Sequence, residues 1–215
     1  SAFSDFFETL FGGGFQGAQH ARQTGFRTRG EDHRAKVMIE LEDALQGATR
    51  TITLQVPEVD SRGRLNMRER VLNIRIPAGI RQGQHIRLAG QGAAGPGQGP
   101  AGDLYLEVEF RPHPFYRVDG RDLYLELPVT PWEAALGATT KVPTPAGVVD
   151  LKIPAGSGSG RKLRLKGRGI PGQSPGDLFV ILKIALPVAD SEAAQALYRK
   201  MQQELDFNPR AHLGV

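Results

Sequence analysis

Two glycine motifs have the spacing that phosphate chemistry uses. Gly90-x-Gly92-x-x-Gly95 and Gly167-x-Gly169-x-x-Gly172 both match a dinucleotide fingerprint. A phosphate cradle needs its glycines to open a helix whose first amides face the pyrophosphate. Here Pro96 and Pro171 interrupt, and more loop and then a strand follow, so the match is a product of repetition and no cofactor is expected. The histidines at 20, 33, 85, 113 and 212 include no pair at ligand spacing, and without cysteine a thiolate zinc site and disulfides are excluded. No metal is therefore expected. Glu40 with Glu42, and Glu107 with Glu109, fall on polar strand faces, and no nucleophile stands with a base. The reading is of a binding protein, not an enzyme. The remaining chemistry is cationic: Arg62, Arg64, Arg68, Arg70 and Arg75 form one cluster, and Arg161, Lys162, Arg164, Lys166 and Arg168 another. Such groups could neutralise phosphates. No recognition helix or aromatic stacking platform accompanies them, and alternation with Leu163 and Leu165 also describes an ordinary solvated strand. DNA contact is accordingly the alternative expectation.

What must position these groups is a chain of 215 residues, 40% hydrophobic and 23% charged, long enough for a sizeable core. Lys and Arg outnumber Asp and Glu by 27 to 23, which permits an acidic partner without demanding one. No apolar run approaches a membrane span and no signal peptide opens the chain. A cytoplasmic piece of a longer protein is expected, with the nucleoid as the alternative location.

Internal repetition organises most of it. Ile74-Arg75-Ile76-Pro77-Ala78-Gly79 returns 77 residues later as Leu151-Lys152-Ile153-Pro154-Ala155-Gly156, and Ile86–Gly92 maps onto Leu163–Gly169 at the same offset. Gly102-Asp103-Leu104-Tyr105 matches Gly176-Asp177-Leu178-Phe179, and Ala44–Thr49 matches Ala134–Thr139. Apolar residues alternate in both copies, as at Leu72, Ile74 and Ile76 or Leu123, Leu125 and Leu127, giving the period of half-buried strands. Thr130-Pro131-Trp132-Glu133 reads as a capping box with proline at the first helical position and Gly137 as the stop; the first copy carries Glu40 where Thr130 would stand. The expectation is a mainly β fold, two tandem related β-sandwich domains followed by a C-terminal α-helix. Their boundaries are set at 34–114 and 115–188.

The flanks differ. Residues 1–33 form a linker rich in glycine and phenylalanine, holding six of the ten phenylalanines, with one short amphipathic helical stretch at Ser4–Phe11. In residues 189–215, Asp190 or Ser191 caps a helix on which Ala194, Leu197, Tyr198, Met201 and Leu205 make one apolar stripe. That stripe either folds back onto the second domain or packs against another copy.

In this order, the Gly/Phe segment, the paired β-domains with their Pro-Ala-Gly and Gly-Asp-Leu motifs, His113-Pro114-Phe115, Pro131–Gly137 and a terminal helix ending in Phe207-Asn208-Pro209-Arg210 resemble the C-terminal region of DnaJ-type J-domain proteins. The likeness covers essentially the whole chain and is greatest to the bacterial curved-DNA-binding branch. It departs from the wider family in two places: there is no His-Pro-Asp tripeptide, the mark of the J-domain, and no cysteine-rich zinc module. Between Gly47 and Ile74 the first repeat is longer than its counterpart, and the insert around Val59–Arg64 is expected to hold only a short polar loop. The resemblance implies a homodimer, joined through the C-terminal stripe, that captures unfolded client polypeptides for a DnaK-type chaperone. It further implies a client groove in the first domain, lined by Val37, Ile39, Ile52, Leu54 and Leu106 with Arg50 at its rim, where an extended segment adds to a strand edge.

Overall fold

Period-two apolar runs become strands throughout. The computed structural model describes residues 28–59 and 65–214. The expected helical stretch at Ser4–Phe11 and the loop bearing Arg62 and Arg64 lie outside them. In the first repeat, β1 (His33–Ile39) leads into a short helix α1 (Leu41–Gln46), then the strands β2 (Ala48–Val59), β3 (Leu65–Ile76), β4 (His85–Leu88) and β5 (Leu104–Phe110). The second has β6 (Tyr116–Asp119), β7 (Asp122–Val129), α2 (Pro131–Leu136), β8 (Ala138–Thr144), β9 (Gly147–Ile153), β10 (Lys162–Leu165) and β11 (Leu178–Ile184). A 13-residue helix, α3 (Glu192–Glu204), follows. The fold is mainly β, as the alternation implied.

Repetition in sequence is repetition in topology. One sheet has the order β1-β5-β4 and the other β10-β11-β7-β6, so among the described residues β6 is the strand added. In each, the last strand made lies between two earlier ones. β11 runs parallel to β7, with Leu178 opposite Leu123, and antiparallel to β10. Each repeat also carries a separate two-stranded ribbon, β2-β3 or β8-β9. The extra length in the first repeat lies largely in its ribbon rather than in a loop: β2 and β3 run 12 residues each, against 7 in β8 and β9.

The helical turns differ as their caps differ. The Thr130 side chain accepts the Glu133 amide while the Glu133 carboxylate receives the Thr130 amide, a complete capping box, whereas Glu40 makes no side-chain cap. Both turns stop at a glycine in the positive-φ region, Gly47 and Gly137.

The chain divides into two compact units. The larger is Arg34–Leu88 with Tyr105–Val215, and the smaller takes Ala89–Leu104 with the described end of Ser1–His33. Within the larger unit, Leu41 from α1 is buried in the same cluster as Leu123, Leu125, Val142, Leu178 and Val180. The Arg121 guanidinium donates to the Gly79 and Pro171 carbonyls, and a side chain at Gly79 would collide with the Pro171 oxygen. The two repeats therefore share a seam.

Candidate functional site

The two dinucleotide-like motifs have a structural purpose. In the smaller unit, Gly92 lies so close to the backbone of Glu31 and Gly102 that no β-carbon would fit. In the larger, Gly169 and Gly176 crowd the Arg121 carbonyl in the same way. Beside each loop stands a buried carboxylate that the sequence marked only as part of a repeat. Asp103 accepts the Gly90 amide at 2.8 Å and pairs with Arg29 at 2.8 Å. Asp177 accepts the Gly167 amide at 2.7 Å and binds Arg164 at 2.5 Å. Glycine and aspartate in these motifs hold loops shut.

Asp177 carries a stability consequence. The Gly167 amide, with Arg164 and Lys166, holds its carboxyl below the usual carboxylate range against the opposing effect of burial. A depressed folded-state value stabilises the protein above the unfolded value, near pH 4, and that contribution disappears as pH falls through the folded one. Replacing Asp177 by Asn is expected to lower the melting temperature at pH 7 and to flatten its fall on acidification. Thermal melts from pH 2 to 7 check this; parallel curves for the two proteins would rule it out.

The apolar residues expected to line one groove separate into two groups. Val37 and Ile39 on β1 and Leu106 on β5 are buried, Leu106 completely. They form the floor of the first sheet and have almost no surface to offer a ligand. Ile52 and Leu54 on β2 are only partly buried. The repeat supplies an internal comparison: the position matching Ile52 is Val142 on β8, which is 0% exposed, and Leu54 matches the buried Thr144. The fold can close over these positions and in the first repeat does not. Ile52 stands opposite Leu72 and Leu54 opposite Arg70. Among the described residues β2 is paired on one side only, so its other edge presents open backbone donors and acceptors.

Arg50, two residues before Ile52, is held by Asp43. Its guanidinium makes three hydrogen bonds of 2.5 to 3.1 Å to that buried carboxylate, seven residues back on α1. Sequence reading placed Arg50 at a rim but missed its anchor; the spacing of seven from Asp43 is the only signal. The result is a cation fixed beside partly open apolar side chains and a free strand edge.

The basic residues scatter. Arg70 and Arg75 are exposed on β3, while the side chain of Arg68 is not described. On and beside β10, an edge strand, Arg161, Lys162, Lys166 and Arg168 are exposed. Arg164 is already committed to Asp177. Outward from the same sheet, Tyr124 and Phe179 stack with centroids 5.2 Å apart, and Arg117 lies 4.2 Å from the centre of the Tyr124 ring. An aromatic pair is therefore present where none was legible, because only the β7–β11 register brings the rings together. Its tyrosine is engaged by Arg117 as well as by Phe179, so it makes a poor platform for a base.

His113 shapes the junction between repeats. Its Nδ1 accepts the amides of both Phe115 and Tyr116 at 3.0 Å, which leaves the proton on Nε2, 3.1 Å from Glu42 on α1. On the final helix, Leu197, Met201 and Leu205 are exposed, while Ala194 and Tyr198 are partly covered. The stripe does not fold back as a whole; the Tyr198 hydroxyl donates to the Pro187 carbonyl at 2.7 Å.

Comparison with known proteins adds two findings. A family model described as the DnaJ C terminal domain matches residues 33–187. A curved DNA-binding protein of Coxiella burnetii (strain RSA 493 / Nine Mile phase I) is 51% identical over 212 residues, covering 98% of this chain and 67% of the relative. A curved DNA-binding protein of Escherichia fergusonii is 42% identical over 217 residues, covering 99% of this chain and 69% of the relative. The chain thus spans about two thirds of the length of these relatives.

Proposed function

Since this chain belongs to the DnaJ C-terminal domain family, we propose that its first repeat captures unfolded polypeptide along the open edge of β2. The observation that carries this reading is the contrast between the partly buried Ile52 and Leu54 and their buried counterparts Val142 and Thr144. An extended client segment hydrogen-bonds to the free edge whatever its sequence, and alternate side chains settle on Ile52 and Leu54. Val37, Ile39 and Leu106 belong to the buried core of the first repeat. Arg50, oriented by Asp43, meets polar or acidic groups at the end of the segment.

In this reading residues 34–114 bind client, 115–188 carry the second β-domain, and 189–215 join two copies through α3. A homodimer holds two β2 edges and so retains a long client by avidity. Hand-over to a DnaK-type chaperone completes the co-chaperone role. Fluorescence anisotropy with a labelled unfolded peptide tests the core of it. Apolar and backbone contacts are little screened by salt, so affinity should change less than about threefold between low and moderate ionic strength. Absence of peptide binding at any salt would overturn the reading.

DNA binding is a second reading, favoured by the four exposed cations on and beside β10 and by the name that the relatives bear. A duplex laid along that edge would meet phosphate-neutralising groups without any base-reading element.

A further inference from the structure

The two repeats use one acidic position in opposite ways. Glu133 on α2 matches Asp43 on α1, as Thr130 matches Glu40. In the second repeat the Glu133 carboxylate accepts the Thr130 amide and hydroxyl, so the turn caps itself. In the first repeat Glu40 makes no side-chain cap, and Asp43 instead holds Arg50 on β2. The position matching Arg50 is Thr140, which has no charge to be held. An acid that caps its own helix in one repeat is free, in the other, to orient a cation.

What holds α1 in place is therefore tertiary. A helix of 6 residues is far below the roughly 12–15 at which isolated helices become even marginal. Successive residues of a helix point about 100° apart, and four in a row from the N-cap of α1 each meet a different group. Glu40 pairs with Arg111 at 3.2 Å, and Leu41 is buried in the core cluster of the second repeat. Glu42 lies 3.1 Å from His113 Nε2, and Asp43 carries Arg50. Arg111 and His113 both belong to the segment joining the repeats, where the amides of Phe115 and Tyr116 fix the His113 ring. α2 is held differently: Trp132 and Leu136, on its outer face, are exposed. A single turn pinned on several sides moves as one body, so a shift at the junction is a shift at Asp43.

We propose that α1 is a relay: the junction between the repeats, through Arg111 and His113, sets the orientation of Arg50 at the client edge. Glu42 and His113 are then positioning residues for capture, and neither touches the client. The proposal rests on the client reading of β2 and adds the control of its rim. A client that ends on Arg50 in turn draws on Asp43 and stiffens the junction, since coupling between two sites is reciprocal. The coupling is of the size that networks of packed and hydrogen-bonded groups reach, about threefold in affinity.

Peptide affinity and the Arg50 Nε–H resonance are measured together on the full chain, on Glu42→Ala and His113→Ala, on Arg50→Gln, and on each of the first two combined with Arg50→Gln. The probes are an unfolded peptide with Glu at both ends and its twin with Gln. Glutamine at position 50 can still donate to Asp43, so Arg50→Gln removes the charge and keeps a partner for the acid. It should weaken capture of the Glu peptide by about fivefold, the upper end for an exposed ion pair, and leave the twin unchanged. Glu42→Ala and His113→Ala should each cost about threefold for the Glu peptide alone, and nothing further once Arg50 is replaced. Glu42 is exposed, so its loss spares the core. Removing its negative charge would by itself strengthen capture of an acid, so a weakening reports the relay. In the free chain both variants should shift the Arg50 Nε–H resonance and speed its exchange with water. Losses equal for the two peptides, or additive with Arg50→Gln, overturn the relay, as does an Arg50 resonance that neither variant moves. A chain that binds neither peptide overturns the client reading, and the resonance then decides the relay by itself.

Discussion

Replacing Ile52 and Leu54 together by serine is expected to weaken capture of an unfolded peptide by about tenfold while leaving the chain folded. Both side chains are partly open, so their removal takes less from the core than the loss of a fully buried aliphatic would. In the complex each would be covered by client, and covering an aliphatic side chain is worth about 1.5–3 kcal/mol, of which the part already buried is not recovered. With most of each side chain already covered, the two losses come to about 0.7 kcal/mol each, one power of ten in Kd. The matched control is Val142→Ser in the second repeat. Val142 is fully buried, so the control should lower the melting temperature and spare peptide affinity. Anisotropy titrations beside thermal melts separate the outcomes. Peptide affinity unchanged by Ile52→Ser/Leu54→Ser would move the client site away from β2.

The second large effect concerns nucleic acid. Changing Arg161, Lys162, Lys166 and Arg168 to glutamine is expected to abolish most affinity for a DNA duplex and to leave peptide capture as it was. Each phosphate contact contributes about 0.9 to the slope of log affinity against log salt, so four lost contacts flatten it by about 3–4 and cost on the order of a hundredfold or more in moderate salt. Arg164 is left unchanged because its charge serves Asp177, and its removal would confuse a folding defect with a binding one. A salt slope equal in variant and parent would place any DNA contact elsewhere. Loss of peptide and DNA binding together, at unchanged stability, would argue for one shared surface.

How much of this was legible in sequence follows from which interactions are local. The duplicated architecture was readable because Ile74–Gly79 and Leu151–Gly156, or Ala44–Thr49 and Ala134–Thr139, repeat residue for residue. The capping box at Thr130 and the Ser191 cap of α3 were readable because their partners stand three residues away. The difference between Ile52 and Val142 was not. Both sit in alternating apolar runs, and only packing decides which is covered. The same limit hid the Asp43–Arg50 pair and the role of Asp177, whose amide donates to Asp122 from 55 positions away. Glycine spacing suggested a phosphate loop for the converse reason: close backbone approach and anion binding both require glycine, and a pattern of residues does not distinguish them.

The strand order has a consequence for synthesis. In both sheets the central strand is the last to leave the ribosome: β5 enters between β1 and β4, and β11 between β7 and β10. Until Leu178–Ile184 emerges, β7 and β10 lack the strand that joins them, and the apolar faces of Leu123, Leu125 and Leu127 wait for Val180 and Leu182. Leu41, translated more than 130 residues earlier, belongs to that same cluster. Such distant pairings form slowly and leave sticky strands exposed while they do. During its own translation this chain passes through the kind of state it is proposed to recognise in others, and the nascent protein is a candidate client of its finished copies.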